Sequence, residues 1–149
     1  MEKENKMINV SKLKKGIVID HIKAGNGYKI FRQLGLDKLE DTVVLLKNIP
    51  SNKMGTKDLI KIENDIYLDL TVLGLIDSGV TVNIIENGQR KDKIKLELPQ
   101  KVLGILKCRN PRCISTIEDV GNIEFTLVNP TTKEYQCEYC HEKTTFREN

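Results

Sequence analysis

The sequence is poor in aromatic residues and contains no cysteine before Cys108. Tryptophan is absent, and aromatic residues make up only 5% of the chain. A hydrophobic core must therefore be built mainly from isoleucine, leucine and valine, which favours a β-rich or mixed α/β protein. Apolar residues at 39% and charged residues at 30% are typical of a globular protein and exclude a disordered or fibrous one.

Neither sign of charge dominates, and long apolar runs are absent. The 24 basic and 21 acidic residues leave a net charge of +3, so the global charge predicts no class of partner. The basic cluster "SKLKKG", with Lys12, Lys14 and Lys15, is most simply a solvated end. No apolar run is long enough to cross a bilayer, and the charged amino terminus lacks the apolar segment of a signal peptide. We therefore expect a cytoplasmic protein.

Motifs for catalysis are also missing. The chain has no Walker-type loop, no GxGxxG after a strand and no recognised set of nucleophile, base and acid, and it has only two histidines. The short "GNG" from Gly25 to Gly27 indicates only the start of a helix. The sequence therefore predicts a binding or regulatory module without a catalytic site.

The four cysteines form two short pairs in the last third of the chain. Cys108 and Cys113 are spaced C-x4-C, and Cys137 and Cys140 follow as C-x2-C after a stretch long enough for a β-hairpin. Two short chelating turns can supply four thiolates to Zn²⁺ at about 2.3 Å. A segment this short cannot close a large core, because domains below about 40 residues usually need a metal or disulfides. The spacing predicts one structural zinc ion per chain.

Other uses of the cysteines remain open at this stage. A redox CxxC motif needs one thiol of low pKa and gives no role to the first pair. Disulfides are disfavoured in a reducing compartment, and the spacing fits no ferredoxin-type run for an iron–sulfur cluster. His141 directly follows Cys140, but four thiolates already fill a tetrahedral site, and they leave no open position for a catalytic water.

The first hundred residues alternate between strand and helix patterns. Strands are predicted in "GIVIDHI", "TVVLLKN", "KDLIKIEN", "VTVNIIEN" and "DKIKLEL", and helices in "NGYKIFRQLGL" and "DIYLDLTVLGLIDSG". This order predicts an α+β, ferredoxin-like domain, an antiparallel sheet with two helices on one face. We expect it to span residues 1–98, with a small all-β domain of four zinc-binding cysteines in 99–149. "ELPQKVLG" is interpreted as a hinge and short helix.

The pair Asp20 and His21 lies at the end of the first predicted strand. Strand alternation predicts that the two side chains face opposite ways. The simplest interpretation is a pair at the edge of the sheet that caps the following loop.

Several motifs together resemble one family along nearly the whole chain. "GIVIDHI", "MGTKDLIKIEN", "VTVNIIEN", "LKCRNPRCIS" and "YQCEYC", in this order, are similar to the regulatory chain of aspartate carbamoyltransferase. The resemblance implies a non-catalytic subunit of pyrimidine biosynthesis, with an allosteric nucleotide-binding domain and a zinc domain that docks on the catalytic chain. It also implies pairing of regulatory chains into dimers, inhibition by CTP, activation by ATP, and a possible effect of UTP.

The resemblance also implies the residues of the effector site. It places nucleotide contacts on Asp20, His21, Lys61, Asn83 and Lys93, with Val10 and Leu13 near the base and Lys57 as a further phosphate contact. In "GQRKDKIK" the sequence departs from the family pattern, so Lys91 and Lys95 compete with Lys93 for its role. The loops around Asn110 to Arg112 and Glu138 to Glu142 are the natural candidates for contact with the catalytic chain.

A nucleic-acid-binding zinc ribbon is the alternative from another class. Basic residues near the cysteines support it, namely Arg109, Arg112, Lys133, Lys143 and Arg147. Acidic residues interleave with them, at Glu118, Asp119, Glu124, Glu134, Glu138, Glu142 and Glu148, so no stripe of one sign of charge is present. The sequence therefore favours a regulatory protein over a nucleic-acid-binding one.

Overall fold

The computed structural model describes residues 14–146, which divide into two compact units. The first unit contains residues 14–69 and Gly79–Leu96, and the second contains Leu70–Ser78 and residues 97–146. The chain therefore enters the second unit, returns to the first and then enters the second again. The assignment of Leu70–Ser78 to the cysteine-rich unit was not predicted from the sequence. No helix within residues 14–146 has both the length and the apolar character needed to span a membrane.

The first unit is built on a five-stranded antiparallel sheet. Its strands are β1 (Gly16–Lys23), β2 (Val43–Ser51), β3 (Gly55–Ile62), β4 (Thr81–Glu86) and β5 (Gln89–Lys95), in the spatial order β2-β3-β1-β4-β5. Its first four strands have the order of the predicted ferredoxin-like pattern, and β5 extends the sheet through a hairpin with β4. Asn87 and Gly88 form that turn with φ of 54° and 76°, as the Asn-Gly signal predicts.

Alternate residues of the inner strands build the core of the first unit. Ile19, Ile60 and Ile62 are fully buried and Val82 nearly so, on the same face of the sheet. Helix α1 (Gly27–Gln33) adds the fully buried Ile30 and packs against β2 and β3. This helix is followed by a left-handed Gly35 (φ 69°) and a 3₁₀ turn (Leu36–Lys38). The aliphatic core predicted from the composition is confirmed.

The second unit contains a four-stranded antiparallel sheet and two short helices. The strands β6 (Lys101–Leu103), β7 (Glu124–Asn129), β8 (Glu134–Cys137) and β9 (Lys143–Thr144) lie in chain order, and the helices are α2 (Leu70–Ile76) and α3 (Ile114–Ile117). The short helix predicted in "ELPQKVLG" is wrong, because Lys101–Leu103 pair with β7 as a strand. Helix α2 begins only at Leu70, so Ile66 of the predicted helix lies before it.

The segment that opens the second unit is held in place by specific contacts. The buried Tyr135 donates its hydroxyl hydrogen to the carbonyl of Pro99 at 2.6 Å, and Leu127 N–H donates to the carbonyl of Gln100 at 2.8 Å. A side chain on Gly74 would lie 2.9 Å from the carbonyl oxygen of Glu97, so the glycine allows α2 to approach this segment. The predicted hinge near Pro99 is therefore anchored to the second unit.

Replacement of Tyr135 by Phe is expected to cost about 1–2 kcal/mol, because the carbonyl of Pro99 loses a buried donor. Burial raises the pKa of Tyr135 from the ordinary 10 to about 12. A group whose pKa is higher in the folded state contributes stability that is present below pH 10 and is lost as the pH rises through 12. Urea unfolding at pH 8 and between pH 10 and 12 will measure both effects. If the Tyr135→Phe variant loses as much stability between pH 10 and 12 as the wild type does, the assignment of this loss to Tyr135 is wrong.

Candidate metal centre and cationic face

The four cysteines meet at one point of the second unit. All four Sγ atoms lie within 4.8 Å of one another, although the two pairs come from separate parts of the chain. The Sγ atoms of Cys108 and Cys140 are 3.5 Å apart, and those of Cys113 and Cys137 are 3.8 Å apart. Four thiolates at tetrahedral positions 2.3 Å from a zinc ion would be separated by about 3.8 Å. The donor set therefore fits a tetrahedral zinc ion.

Backbone and hydroxyl groups surround the sulfur atoms. The N–H of Asn110 points to Sγ of Cys108 at 3.5 Å, and the N–H of Glu142 points to Sγ of Cys140 at 3.4 Å. Each donor lies two residues after its cysteine. Such donors stabilise negative charge on the sulfur and orient it for an ion.

The surroundings shift the pKa values of three of the thiols, and not all in the same direction. Burial raises the pKa of Cys108 to about 12 and also raises the pKa of Cys137. The hydroxyl of Ser115, 3.0 Å from the sulfur of Cys113, lowers the pKa of that thiol to about 7. Buried thiols of this kind lose their protons when a cation binds, so metal binding and deprotonation occur together.

Histidine does not join the metal centre. Among residues 14–146 the ligand cluster contains only the four cysteines, and His141 instead turns the chain after Cys140. Its φ is 64°, and its N–H donates to the carbonyl of Cys137 at 3.0 Å. A closed set of four thiolates is typical of structural zinc and leaves no position for a reacting water.

A second candidate site lies on the first unit, on the face of the sheet opposite its core. Lys61 of β3 pairs with Val18 of β1, which pairs with Asn83 of β4, which pairs with Lys93 of β5. Directly paired residues of antiparallel strands point to the same face, so these side chains form one row across the sheet. We call the surface around this row the cationic face; its charged members include Asp20, Lys57, Lys61, Lys93 and Lys95.

Asp20 and His21 lie together on the cationic face, and the prediction that they face opposite ways is wrong. The pairing of β1 with β3 slips between Ile19 and Ile22, and both isoleucines are fully buried. Two residues instead of one separate these core positions, so the bulge turns both Asp20 and His21 away from the core. His21 adopts a φ of 59°, and its Nδ1 lies 3.0 Å from Oγ1 of Thr81, the residue paired with Asp20.

Asp20 is an acid of the cationic face, and two donors already bind its carboxylate. Lys57 Nζ lies 2.8 Å from its Oδ1, and the N–H of His21 donates to the same oxygen at 2.6 Å. Burial raises the pKa of Asp20, but the hydrogen bonds from Lys57 and from the His21 backbone and the positive charge of Lys57 outweigh it, so the net pKa is below 3.8. Burial lowers the pKa of Lys61, and the charge of Asp20 offsets part of that shift.

Asn83 carries a buried acceptor that the described residues leave unsatisfied. Its Oδ1 is shielded from solvent and accepts no hydrogen bond within the part of the chain that the structure describes. Buried polar atoms of this kind usually have a partner, and an exception calls for an explanation. Lys61 and Lys93 lie on either side of Asn83 in the row, so two positive charges flank the residue that carries this oxygen.

The structure separates the three lysines that the sequence left as competitors. Lys93 lies opposite Asn83 and Lys95 lies opposite Thr81 on the cationic face. Lys91 falls at a slip in the pairing of β4 with β5, and its Nζ lies 3.3 Å from a carboxylate oxygen of Glu86. Lys91 is therefore already engaged by an acid. Val10 and Leu13, which the resemblance placed near a nucleotide base, lie outside the described residues.

Sequence reasoning missed Asp58, the most deeply buried acid of the first unit. It is 0% exposed and accepts hydrogen bonds from the N–H groups of Gly25, Gly27 and Asn48, each at 3.0 Å. A signal was present in "KDLIKI", where Asp58 has the same strand parity as the buried Ile60 and Ile62. An acid in the buried register of a strand indicates a carboxylate with internal partners.

Comparison with known proteins gives two family matches that together span most of the chain. Residues 8–97 match the model "Aspartate carbamoyltransferase regulatory chain, allosteric domain", and residues 100–149 match the corresponding "metal binding domain". The chain is 50% identical over 136 residues to an aspartate carbamoyltransferase regulatory chain of Clostridium botulinum, covering 91% of this chain and 93% of that one.

Two further relatives have the same description. The regulatory chain of Clostridium tetani is 50% identical over 137 residues, covering 91% of this chain and 95% of the relative. That of Bifidobacterium longum is 37% identical over 136 residues, covering 91% and 98%. The similarity therefore extends through both units and includes the cysteine-rich part.

Proposed function

Because this chain belongs to the family of aspartate carbamoyltransferase regulatory chains, we propose that its first unit binds nucleotide effectors on the cationic face and that its second unit docks on the catalytic chain. CTP is the proposed inhibitor and ATP the proposed activator, with UTP as a possible further effector, in a cytoplasmic complex of pyrimidine biosynthesis. The chain itself is a non-catalytic subunit. The observation that carries the proposal is the row of Lys61, Asn83 and Lys93, with a buried acceptor on Asn83 that has no partner among residues 14–146.

The charges of the cationic face suit a nucleoside triphosphate. One ammonium group about 4 Å from a phosphate charge contributes roughly 4 kcal/mol at an effective dielectric constant of 20, before desolvation is subtracted. Lys61 and Lys93 are placed to supply such charges from separate strands, and Lys57 adds a third that is shared with Asp20. The several negative charges of a triphosphate can bind all three lysine ammonium groups. An uncharged ligand would leave the repulsion between these ammonium groups uncompensated.

The polar side chains of the cationic face would orient the bound ligand. The Oδ1 of Asn83 needs a donor, and an amino or hydroxyl group of a nucleotide would supply one. Asp20, kept ionised by its low pKa, accepts hydrogen bonds from sugar hydroxyls or amino groups. Discrimination between CTP and ATP then depends on the base edge, and inhibition and activation require opposite preferences for two quaternary states. Such preferences are usually worth about 1–3 kcal/mol.

The second unit offers exposed apolar side chains beside the metal centre for the catalytic chain. Ile114 and Ile117 of α3 are 41% and 65% exposed, and Tyr139, between the cysteines of the second knuckle, is 46% exposed. Exposed apolar residues grouped on a small domain are typical of a binding surface. Tyr139 lies within the proposed loop Glu138 to Glu142, and α3 begins two residues after the proposed loop Asn110 to Arg112. The regulatory chain is also proposed to pair with a second copy of itself.

The effector site is tested by calorimetric titration of the zinc-loaded chain with CTP and ATP. We expect both nucleotides to bind in competition with each other, and we expect Lys61→Ala to abolish binding, because it removes one of the positive charges of the row. Lys29→Ala is the matched control, since Lys29 belongs to α1, which packs on the other side of the sheet. If folded wild-type protein binds neither nucleotide, the proposed effector site is wrong. The next test is then binding to DNA or RNA, with an affinity that should fall steeply as the salt concentration rises.

A further inference from the structure

The carboxylate of Asp58 connects three separate pieces of backbone in the first unit. Its Oδ2 accepts hydrogen bonds from the N–H of Gly25, in the turn that follows β1, and from the N–H of Gly27, the first residue of α1. Its Oδ1 accepts one from the N–H of Asn48 in β2. All three distances are 3.0 Å, and the residue is 0% exposed. A fully buried carboxylate with three backbone donors is a rigid junction, because any movement of one segment leaves a buried polar group without its partner.

Two irregularities of the sheet lie directly beside this junction. On one side of β3, the pairing with β1 slips between Ile19 and Ile22, where the bulge presents Asp20 and His21. On the other side, the pairing with β2 slips between Leu46 and Ile49, where Asn48 adopts a φ of 59°. Asparagine adopts this left-handed conformation more readily than most residues. The hydrogen bond from Asn48 N–H to Asp58 at 3.0 Å holds the backbone of Asn48 in this position.

The residues of the cationic face are adjacent to Asp58 in the chain or in the sheet. Lys57 precedes it and points to the opposite face, where its Nζ meets Asp20 at 2.8 Å. Ile22, immediately after the bulge that carries Asp20 and His21, is paired with Asp58. The turn held by Asp58 begins two residues after Ile22. The junction therefore fixes both the strand that carries Lys57 and the end of the strand that carries Asp20.

From this arrangement we propose that Asp58 is a positioning residue for the cationic face: its bonds to Gly25, Gly27 and Asn48 set the bulge at Asp20 and His21 and so the geometry of the Lys57–Asp20 pair. Asp58 does not touch the ligand, since its side chain lies on the core side of the sheet. The proposal rests on the proposed function only for its effect on nucleotide binding. Its effect on the geometry of the bulge holds in the nucleotide-free protein.

Two variants disturb the junction by different routes. Asp58→Asn keeps the shape of the side chain but replaces one acceptor oxygen with a donor, which opposes a backbone N–H. Gly27→Ala leaves Asp58 in place but introduces a Cβ only 2.8 Å from its Cβ and Oδ2. Gly35→Ala is the matched control for lost stability: Gly35 has a φ of 69°, so alanine is strained there, but a Cβ would meet no atom within 4 Å.

The first measurement is the NMR spectrum of each variant without nucleotide, at a temperature where circular dichroism shows all of them folded. The amide of His21, which donates to Asp20 at 2.6 Å, reports the bulge, and the ammonium of Lys57 reports the ion pair. We expect both signals to shift in Asp58→Asn and Gly27→Ala and to stay in place in Gly35→Ala. Unchanged His21 and Lys57 signals in the two junction variants would overturn the proposal, whatever their loss of stability.

The second measurement is the dissociation constant for CTP and ATP in the same variants. We expect a rise of about tenfold in the two junction variants and no change in Gly35→Ala, because charged groups must be held in place to bind a ligand well. Equal affinities in all four proteins would overturn the positioning role. If the wild type binds no nucleotide, the proposed effector site fails, and the spectra of His21 and Lys57 still decide whether Asp58 sets the bulge.

Discussion

Removal of zinc by a chelator is expected to unfold residues 97–146 and to release Leu70–Ile76 with them, while the five-stranded sheet stays folded. The metal centre joins the two ends of the second unit, whose core is small and includes three of the cysteines themselves, Cys108, Cys113 and Cys137. Binding free energies of about 10–16 kcal/mol, usual for structural zinc in small domains, exceed what such a core can supply. Without the ion, no binding free energy compensates for the free-energy cost of bringing the four cysteines together.

The behaviour of α2 makes this test specific. The sequence places α2 among the strands of the first unit, but Leu75 of this helix belongs to the core cluster that contains the cysteines. Amide signals of Leu70–Ile76 should therefore disappear with those of β7 and β8 when zinc is removed, and signals of β1, β3 and β4 should remain. Loss of all signals at once, or of none in residues 97–146, would contradict the division into a metal-dependent and a metal-independent unit.

Two substitutions provide the control for the metal experiment. Cys137→Ser removes a fully buried ligand and should reproduce the effect of the chelator. His141→Asn changes the residue next to Cys140 but removes no ligand, and asparagine tolerates the left-handed φ of 64° at this position. We expect this second variant to bind one zinc ion per chain and to keep its fold. Zinc loss in His141→Asn would mean that the histidine does take part in the site.

Replacement of Phe125 by alanine is expected to destabilise the second unit by about 3–5 kcal/mol, the usual cost of removing a buried aromatic ring. Phe125 is 0% exposed and pairs with Val102 on one side and with Cys137 on the other. The cavity would lie beside a metal ligand, so the variant should also release zinc faster than the wild type. Urea unfolding measures the first effect, and transfer of zinc to a coloured chelator measures the second.

An exposed apolar residue of the same unit serves as the control for Phe125. Ile117 is 65% exposed, so Ile117→Ala should change the free energy of unfolding by no more than about 0.5 kcal/mol. The same variant removes a side chain from the surface proposed for the catalytic chain, and it should weaken assembly without weakening the fold. A loss of stability in Ile117→Ala equal to that in Phe125→Ala would show that the second unit is not organised around the Phe125 core.

The sequence by itself determined the chemistry of the metal centre. Ligand type and short spacing are local properties, so two cysteine pairs with a hairpin-length gap indicate a thiolate site before any fold is known. The strand pattern of the first unit was equally local, since apolar alternation in segments such as "KDLIKIEN" reports which face of a strand is buried. The assignment of nucleotide contacts to individual lysines came from resemblance to a family and is a proposal.

Only the tertiary structure decided the features that depend on pairing between distant segments. The bulge that brings Asp20 and His21 to one face arises from the register of β1 against β3, and period-two alternation cannot reveal an extra residue. Helix α2 has an ordinary amphipathic pattern, which says that one side is buried but not against which unit. Asp58 is tolerated in a core because three backbone N–H groups from Gly25, Gly27 and Asn48 converge on it, and that convergence exists only once the chain has folded.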